Sequence, residues 1–136
     1  MVKGLKPKRV KRDTGLNPIA RAVAREQLRR AIMNQKIELY LLTEGAACAE
    51  ICAPMLMIFK ALIAAAGTDP AVGVDNYEVR ILRGAVSACE QMITDNYYRK
   101  LNTTSLDVAL DCAAELNRRV KPELFNQAWN QLTGGG

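Results

Sequence analysis

The chain has 136 residues, of which 49% are hydrophobic, only 5% are aromatic and none is histidine. A chain of this length can bury one hydrophobic core without disulfides or metal ions. So few aromatic residues disfavour β-sheets, and the missing histidine removes the usual proton shuttle near neutral pH. No phosphate-binding loop or nucleophile motif is present either. We therefore expect an all-α bundle of about five helices that is not an enzyme.

Charge is distributed very unevenly along the sequence. Residues 1–36 contain 11 basic and 2 acidic residues, a net charge of +9, whereas residues 37–136 contain 8 basic and 12 acidic residues, a net charge of −4. A polycationic segment on a mildly acidic body is typical of proteins with a polyanionic partner. The charge pattern therefore favours DNA or RNA as the partner.

Residues 1–16 are predicted to form a basic arm ahead of a single α-helical domain, residues 17–136. Gly4, Pro7 and Gly15 interrupt any helical period, and the segment has too few apolar residues to offset its backbone entropy, so we expect it to be flexible when free. Its basic side chains would neutralise phosphates without reading sequence. The candidate phosphate contacts in the arm are Lys3, Lys6, Lys8, Arg9, Lys11 and Arg12. A solubilising tail, or an arm lying on the acidic body, is the alternative.

The first helix is predicted to begin with Asn17 as N-cap and Pro18 as first helical residue, and to end near Leu42. An apolar stripe at helical spacing consists of Ala20, Ala24, Leu28, Ala31 or Ile32, Leu39 and Leu42. Such a stripe predicts that one side of the helix packs on the core.

Three arginines, Arg21, Arg25 and Arg29, recur every four residues beside this stripe. Residues four apart lie on one helix face, so these side chains are predicted to extend the basic arm onto a rigid surface that contacts phosphates. A solvated helix face without a partner is the alternative interpretation. We refer to these three residues as the arginine ladder.

The most apolar stretch, residues 43–67, carries charge only at Glu44, Glu50 and Lys60. A helix that is apolar all round must be surrounded, and the cover could be this chain, a partner or lipid. The run is long enough to cross a bilayer, but its charges and Pro54 are costly there. We expect a buried central helix. Whether Glu50 and Lys60 pair is left open.

Pro54 removes a backbone hydrogen bond from this central helix, so we predict a kink or a division into two pieces, 44–53 and 54–66. Thr43 is a candidate N-cap for the first piece. The following residues, 67–75, contain two glycines and one proline and are predicted to form a loop.

A third helix is predicted from about Asn76 to Leu101, and it has two apolar stripes. One stripe consists of Val79, Leu82, Val86, Cys89, Ile93 and Asn96, and the other of Ile81, Ala85, Ala88 and Met92. Two stripes predict two neighbours, and a homodimer that buries one stripe is a secondary hypothesis. Residues 97–100, two tyrosines followed by Arg and Lys, suit packing better than stacking on bases.

Thr104 and Asp107 form a candidate capping box that would start the fourth helix. Its predicted core positions are Leu106, Leu110, Ala113, Leu116 and Val120, and basic residues near its C-terminus, Arg118, Arg119 and Lys121, suit the helix dipole. Pro122 would open a short fifth helix, which Trp129 docks onto the body.

The four cysteines, Cys48, Cys52, Cys89 and Cys112, have neither a zinc-motif spacing nor a histidine beside them. We expect reduced, buried thiols and no metal or other cofactor.

Taken together, these patterns predict a non-enzymatic DNA- or RNA-binding accessory or regulatory protein that contacts the phosphate backbone. The alternative is a protein-interaction module, such as an inhibitor, adaptor or assembly subunit, that binds a partner or its own copies through apolar helix faces; a membrane-inserted protein is disfavoured. The basic start is not followed by an apolar signal-peptide region, so we expect a cytoplasmic protein.

Overall fold

The computed structural model describes residues 16–42 and 47–134, and those residues form five α-helices and no strand. The helices are α1 Pro18–Leu42, α2 Cys48–Thr68, α3 Tyr77–Asp95, α4 Lys100–Arg119 and α5 Pro122–Thr133. The prediction of an all-α bundle of about five helices is confirmed. The candidate cap Thr43 and the arm up to residue 15 lie outside the described residues.

Helix α2 is the centre of the bundle and contacts each of the other four helices. Its outward side is a narrow stripe that includes Glu50, Ala53, Pro54 and Lys60. Two of the three charges of the predicted apolar run, Glu50 and Lys60, therefore lie on the side that its neighbours leave open, and the third, Glu44, lies outside the described residues. Lys60 does not pair with Glu50: its ammonium lies 3.6 Å from a carboxylate oxygen of Glu90 on α3.

The length and mean hydropathy of α2 would also suit a membrane span, and α2 is the one helix among the described residues that meets both criteria. Half of its most apolar 18-residue window is buried inside the bundle. A helix at the centre of a bundle meets the same criteria as a membrane span, because both need nearly continuous apolar sequence.

The predicted division of this segment at Pro54 is wrong, because α2 is continuous from Cys48 to Thr68. Pro54 lies on the open side of the helix, while Cys52 and Met55 on either side of it are fully buried. Packing on both sides of the proline compensates for the one missing hydrogen bond. A kink at Pro54 stays a prediction. The helix also starts four residues later than predicted, with Ala47 in extended conformation before it.

Helix α3 begins as predicted but ends at Asp95, six residues before the predicted end. Asn76 caps the start, since its side-chain oxygen accepts a hydrogen bond from Val79 N at 2.9 Å. At the other end Asn96 adopts the left-handed conformation, with φ 48° and ψ 49°, which asparagine tolerates better than most residues and which stops the helix. Helix α3 packs mainly on two helices, α2 and α4, as predicted for a helix with two apolar stripes.

The predicted capping box at Thr104 is wrong, because α4 already starts at Lys100. Thr104 lies in the second turn, and its hydroxyl donates to Lys100 O at 3.1 Å, one turn back. Residues 96–99 form the connection between α3 and α4, and α4 begins four residues before the predicted capping box. The five predicted core positions, four within α4 and the fifth at its C-cap Val120, are all buried.

Helix α5 begins at Pro122 as predicted, and Trp129 is partly buried against the core. Its ring stacks on Phe125 with the two centroids 6.0 Å apart. The aromatic pair therefore docks α5 onto the bundle.

Asp69 joins the end of α2 to the start of α5, a role that the sequence did not suggest. Its carboxylate is 1% exposed and accepts two backbone hydrogen bonds, from Ala71 N at 3.0 Å and from Lys121 N at 3.1 Å. Lys121 is the residue before α5, where the helix dipole favours a negative charge.

Candidate nucleic-acid interface

The start of α1 determines where the basic arm leaves the bundle. Asn17 is the N-cap, as predicted, and its side-chain oxygen accepts a hydrogen bond from Ala20 N at 2.8 Å. Immediately before it, Leu16 N donates to a carboxylate oxygen of Glu123 on α5 at 3.2 Å. The arm therefore joins the bundle beside the junction between α4 and α5. The six arm candidates precede residue 16 and lie outside the described residues.

Arg21, the first residue of the arginine ladder, is bound to Glu123. Its Nη2 and Nε lie 2.7 Å and 3.2 Å from Oε2 of that carboxylate. This hydrogen bond from Arg21 holds the pKa of Glu123 below its ordinary value, and the same contact raises the pKa of Arg21. Arg21 thus clamps the N-terminus of α1 to α5 while its side chain stays 40% exposed.

Arg25 lies one turn further along α1 and caps the C-terminus of α4. Its guanidinium donates to the carbonyl oxygens of Asn117 and Val120, each at 3.3 Å. In return, the side-chain amide of Asn117 donates to Arg25 O at 3.0 Å. A guanidinium suits this position because the last carbonyls of a helix have no partner within the helix.

Arg29, the third member of the ladder, points away from this junction and pairs within α1. Its guanidinium donates to both carboxylate oxygens of Glu26 at 2.7 Å, and Arg30 donates to the same group at 2.9 Å. Hydrogen bonds from the two arginines lower the pKa of Glu26 to about 2. The ladder is therefore not one continuous free basic surface. Phosphate contact by its members stays a prediction.

A second set of basic residues lies at the end of α4, where the Arg25 guanidinium binds the last carbonyl oxygens of that helix. We call Arg21, Arg25, Arg118, Arg119 and Lys121 the basic corner. Its α4 members are paired in part: Arg119 lies 2.6 Å from Glu78 and Arg118 lies 3.5 Å from Glu115. Lys121 is exposed and has no ion pair among the residues that the structure describes.

The sequence predicted only that the basic residues at the end of α4 interact favourably with the helix dipole. Their proximity to α1 depends on the antiparallel packing of α1 and α4, since Arg25 contacts the end of α4 and Lys36 lies 2.6 Å from Asp111 in its middle. No local pattern in the sequence carries that information.

The aromatic and basic cluster at residues 97–100 does not belong to this corner, because the cluster lies at the start of α4 whereas the corner lies at its end. The 20 residues of α4 separate the two by about 30 Å. Within the cluster, Tyr98 packs against the core, and the Arg99 guanidinium lies 5.9 Å from the centre of the Tyr97 ring and pairs with Asp95. Tyr98 therefore packs, as expected.

The four cysteines are free thiols and buried. Cys52 of α2 and Cys89 of α3 are hydrogen-bonded to each other, which raises the pKa of Cys89. Within residues 16–42 and 47–134, no group of three or more His, Cys, Asp or Glu side chains is placed to hold a metal ion. A groove of about 780 Å³ between α3 and α4 is lined mainly by small and polar residues such as Gly84 and Ser105.

Comparison with known proteins adds no family to this geometry. No protein-family model matches the chain, and it matches no curated protein and no solved structure.

Proposed function

We propose that this chain is a non-enzymatic accessory or regulatory protein that binds DNA or RNA through the phosphate backbone. The single observation that carries the proposal is the net charge of +9 in residues 1–36 of a chain whose remainder is acidic. The arm that holds most of this charge joins the bundle at the basic corner. A nucleic-acid backbone bound by the arm could therefore also contact basic side chains that the bundle holds in place.

The basic corner supports this proposal because its arginines remain partly exposed while they are paired. Arg21 uses two of its three guanidinium nitrogens on Glu123, and Arg118 is 78% exposed beside Glu115. A guanidinium has five N–H donors, so a paired arginine can still bind a phosphate oxygen. We assign Arg25 to positioning α1 on α4, and Arg21, Arg118 and Lys121 to phosphate contact beside the arm. Arg119 is directed instead to Glu78 of α3.

The experiment is a fluorescence-anisotropy titration of labelled duplex DNA, single-stranded DNA and RNA. The full chain is compared with a chain that lacks residues 1–15 and keeps Leu16, which is part of the described bundle. We expect binding at low salt that weakens steeply as salt is added, and a much weaker, flatter response without the arm. Absence of binding at low salt would overturn the proposal.

The corner is tested separately by an Arg118→Ala, Lys121→Ala double variant of the full chain. A matched control is an Arg80→Ala, Arg83→Ala double variant, which removes the same number of exposed charges from α3. Binding should weaken several-fold in the corner variant and change less in the control. Equal losses in both variants would show that net charge alone, without a defined corner, governs binding.

A protein-interaction module is the second candidate, and a different observation favours it. Several large apolar side chains of α1 are exposed on the side away from the core. A partner bound there would be held by apolar contact, so its affinity would survive both added salt and removal of residues 1–15.

A further inference from the structure

Helix α1 has a second regular stripe on the side opposite the core. The stripe advances by alternating steps of four and three residues and consists of Ile19, Val23, Glu26, Arg30, Met33 and Ile37. Its apolar members are 79%, 50%, 47% and 64% exposed, for Ile19, Val23, Met33 and Ile37 in that order. We call these six residues the outer stripe.

The spacing of the outer stripe is that of the contact positions in a coiled coil. At 100° per residue its centre lies half a turn from the buried side, which contains Leu28, Ile32 and Leu39. Single exposed apolar side chains are ordinary on protein surfaces, but four of them in heptad register are not explained by packing in this bundle. The outer stripe has the pattern of an unfilled helix interface.

Two charged residues at the middle of the outer stripe specify how a second helix would lie. Glu26 and Arg30 form an ion pair of 2.9 Å within α1 and remain substantially exposed. In a parallel pair of identical helices, Glu26 would face Glu26 and Arg30 would face Arg30, and like charges in contact are repulsive. In an antiparallel pair, Glu26 of each helix can face Arg30 of the other.

This antiparallel register also aligns every apolar residue of the outer stripe. With Glu26 opposite Arg30, Val23 lies opposite Met33, and Ile19 lies opposite Ile37. Each pair of facing residues, which we call a layer, then joins an a position of one helix to a d position of the other, as antiparallel coiled coils require. The arrangement repeats on both sides of a two-fold axis, which is the property of an interface between identical chains.

We propose that the outer stripe is a homodimer interface, in which α1 packs antiparallel to α1 of a second copy. An interface of six such residue pairs would be too short to stabilise two isolated helices. Here α1 is already folded on the core of each chain, so dimerisation does not have to supply the free energy of helix formation. The occupant is a second copy because the charges and the apolar pairs are complementary to themselves. This proposal is independent of nucleic-acid binding, and it would direct the two basic arms to opposite ends of the dimer.

The first test is the mass of the full chain in solution, measured by light scattering and sedimentation between about 1 and 100 µM, the range expected for a modest interface. We expect a mass near twice the 15.0 kDa of the chain at the upper concentrations. An Ile37→Glu variant should remain monomeric. The matched control is Leu132→Glu on α5. Leu132 is exposed and has the same size as Ile37 but lies outside the outer stripe, so this variant should still dimerise.

The second test exchanges the central charges. Glu26→Arg would place arginine opposite arginine, and Arg30→Glu would place glutamate opposite glutamate, so each variant should dimerise at least about tenfold more weakly. A mixture of the two variants should dimerise again, because every charged layer is then a pair of opposite signs. Circular dichroism and thermal melting verify that each variant is folded.

Three results would overturn the proposal. The first is a wild-type chain that is monomeric at 100 µM, even if the chain without residues 1–15 dimerises. The second is a dimer that persists in the Ile37→Glu variant. The third is a Glu26→Arg and Arg30→Glu mixture that dimerises no better than the separate variants, which would place the interface elsewhere or assign it to another partner.

Discussion

Replacement of Asp69 by Asn tests whether a buried carboxylate holds the end of α2 to the start of α5. The side chain is 1% exposed, and its two oxygens accept hydrogen bonds from Ala71 N and Lys121 N. Asn has the same size but offers one acceptor oxygen and one NH2 group. One of the two backbone N–H groups would then face a donor instead of an acceptor.

The expected loss follows from these two contacts. A hydrogen bond to a charged group contributes about 1.5–3 kcal/mol, and a buried donor without a partner costs about 1–3 kcal/mol. The neutral amide is easier to bury than a carboxylate, which offsets part of the loss. We expect Asp69→Asn to lower the free energy of unfolding by about 2 kcal/mol. Asp69→Ala removes both acceptors and leaves a cavity, so its loss should be about 3–4 kcal/mol.

The assay is urea unfolding followed by circular dichroism. With a slope of about 2 kcal/mol per M, Asp69→Asn should lower the midpoint by about 1 M. The control is Asp75→Asn in the same loop, whose side chain is 98% exposed and should leave the midpoint unchanged. The proposed role of Asp69 is refuted if Asp69→Asn moves the midpoint no further than Asp75→Asn does.

Three further predictions concern other contacts of the bundle. Because Arg21 lowers the pKa of Glu123, this ion pair stabilises the fold above the unfolded pKa of about 4.3, and the stabilisation is lost as the pH falls below that value. Glu123→Gln should therefore make the free energy of unfolding depend less on pH on the acid side. An unchanged acid slope would contradict this role of the pair. Asn117→Ala removes the hydrogen bond to Arg25 O and should cost about 1 kcal/mol in thermal melts, whereas no change would show that the contact is dispensable. The buried cysteines should react with a disulfide reagent such as DTNB only in denaturant, and rapid reaction of the native chain would contradict their burial.

Helix positions and core residues of this fold could be predicted from sequence wherever one local pattern decided the outcome. The start of α1 at Asn17 and Pro18, and the core of α4, follow from capping chemistry and helical periodicity. The predicted division of the helix at Pro54 and the predicted capping box at Thr104 failed because non-local or competing effects decided the result. Packing keeps α2 continuous across its proline. The left-handed residue Asn96 ends α3 early, and α4 begins before the candidate capping box is reached.

The candidate interface was less accessible from sequence than the fold. The spacing of Arg21 and Arg25 predicts that they share a face, but it cannot show that this face meets Glu123 and the last carbonyls of α4. Nor can the sequence show that Lys121 lies beside them. The outer stripe of α1 was present in the sequence as a 3.5-residue repeat, but its exposure becomes evident only once the opposite side is seen to fill the core.

The most direct test of the proposed function is the slope of the logarithm of the DNA-binding constant against the logarithm of salt concentration. This slope is measured on duplex DNA for the full chain and for the chain without residues 1–15. If the six basic residues of the arm each neutralise a phosphate, the two slopes should differ by about 5, since each neutralised phosphate contributes about 0.9 on duplex DNA. Equal slopes, or no binding by the full chain at low salt, would contradict the account.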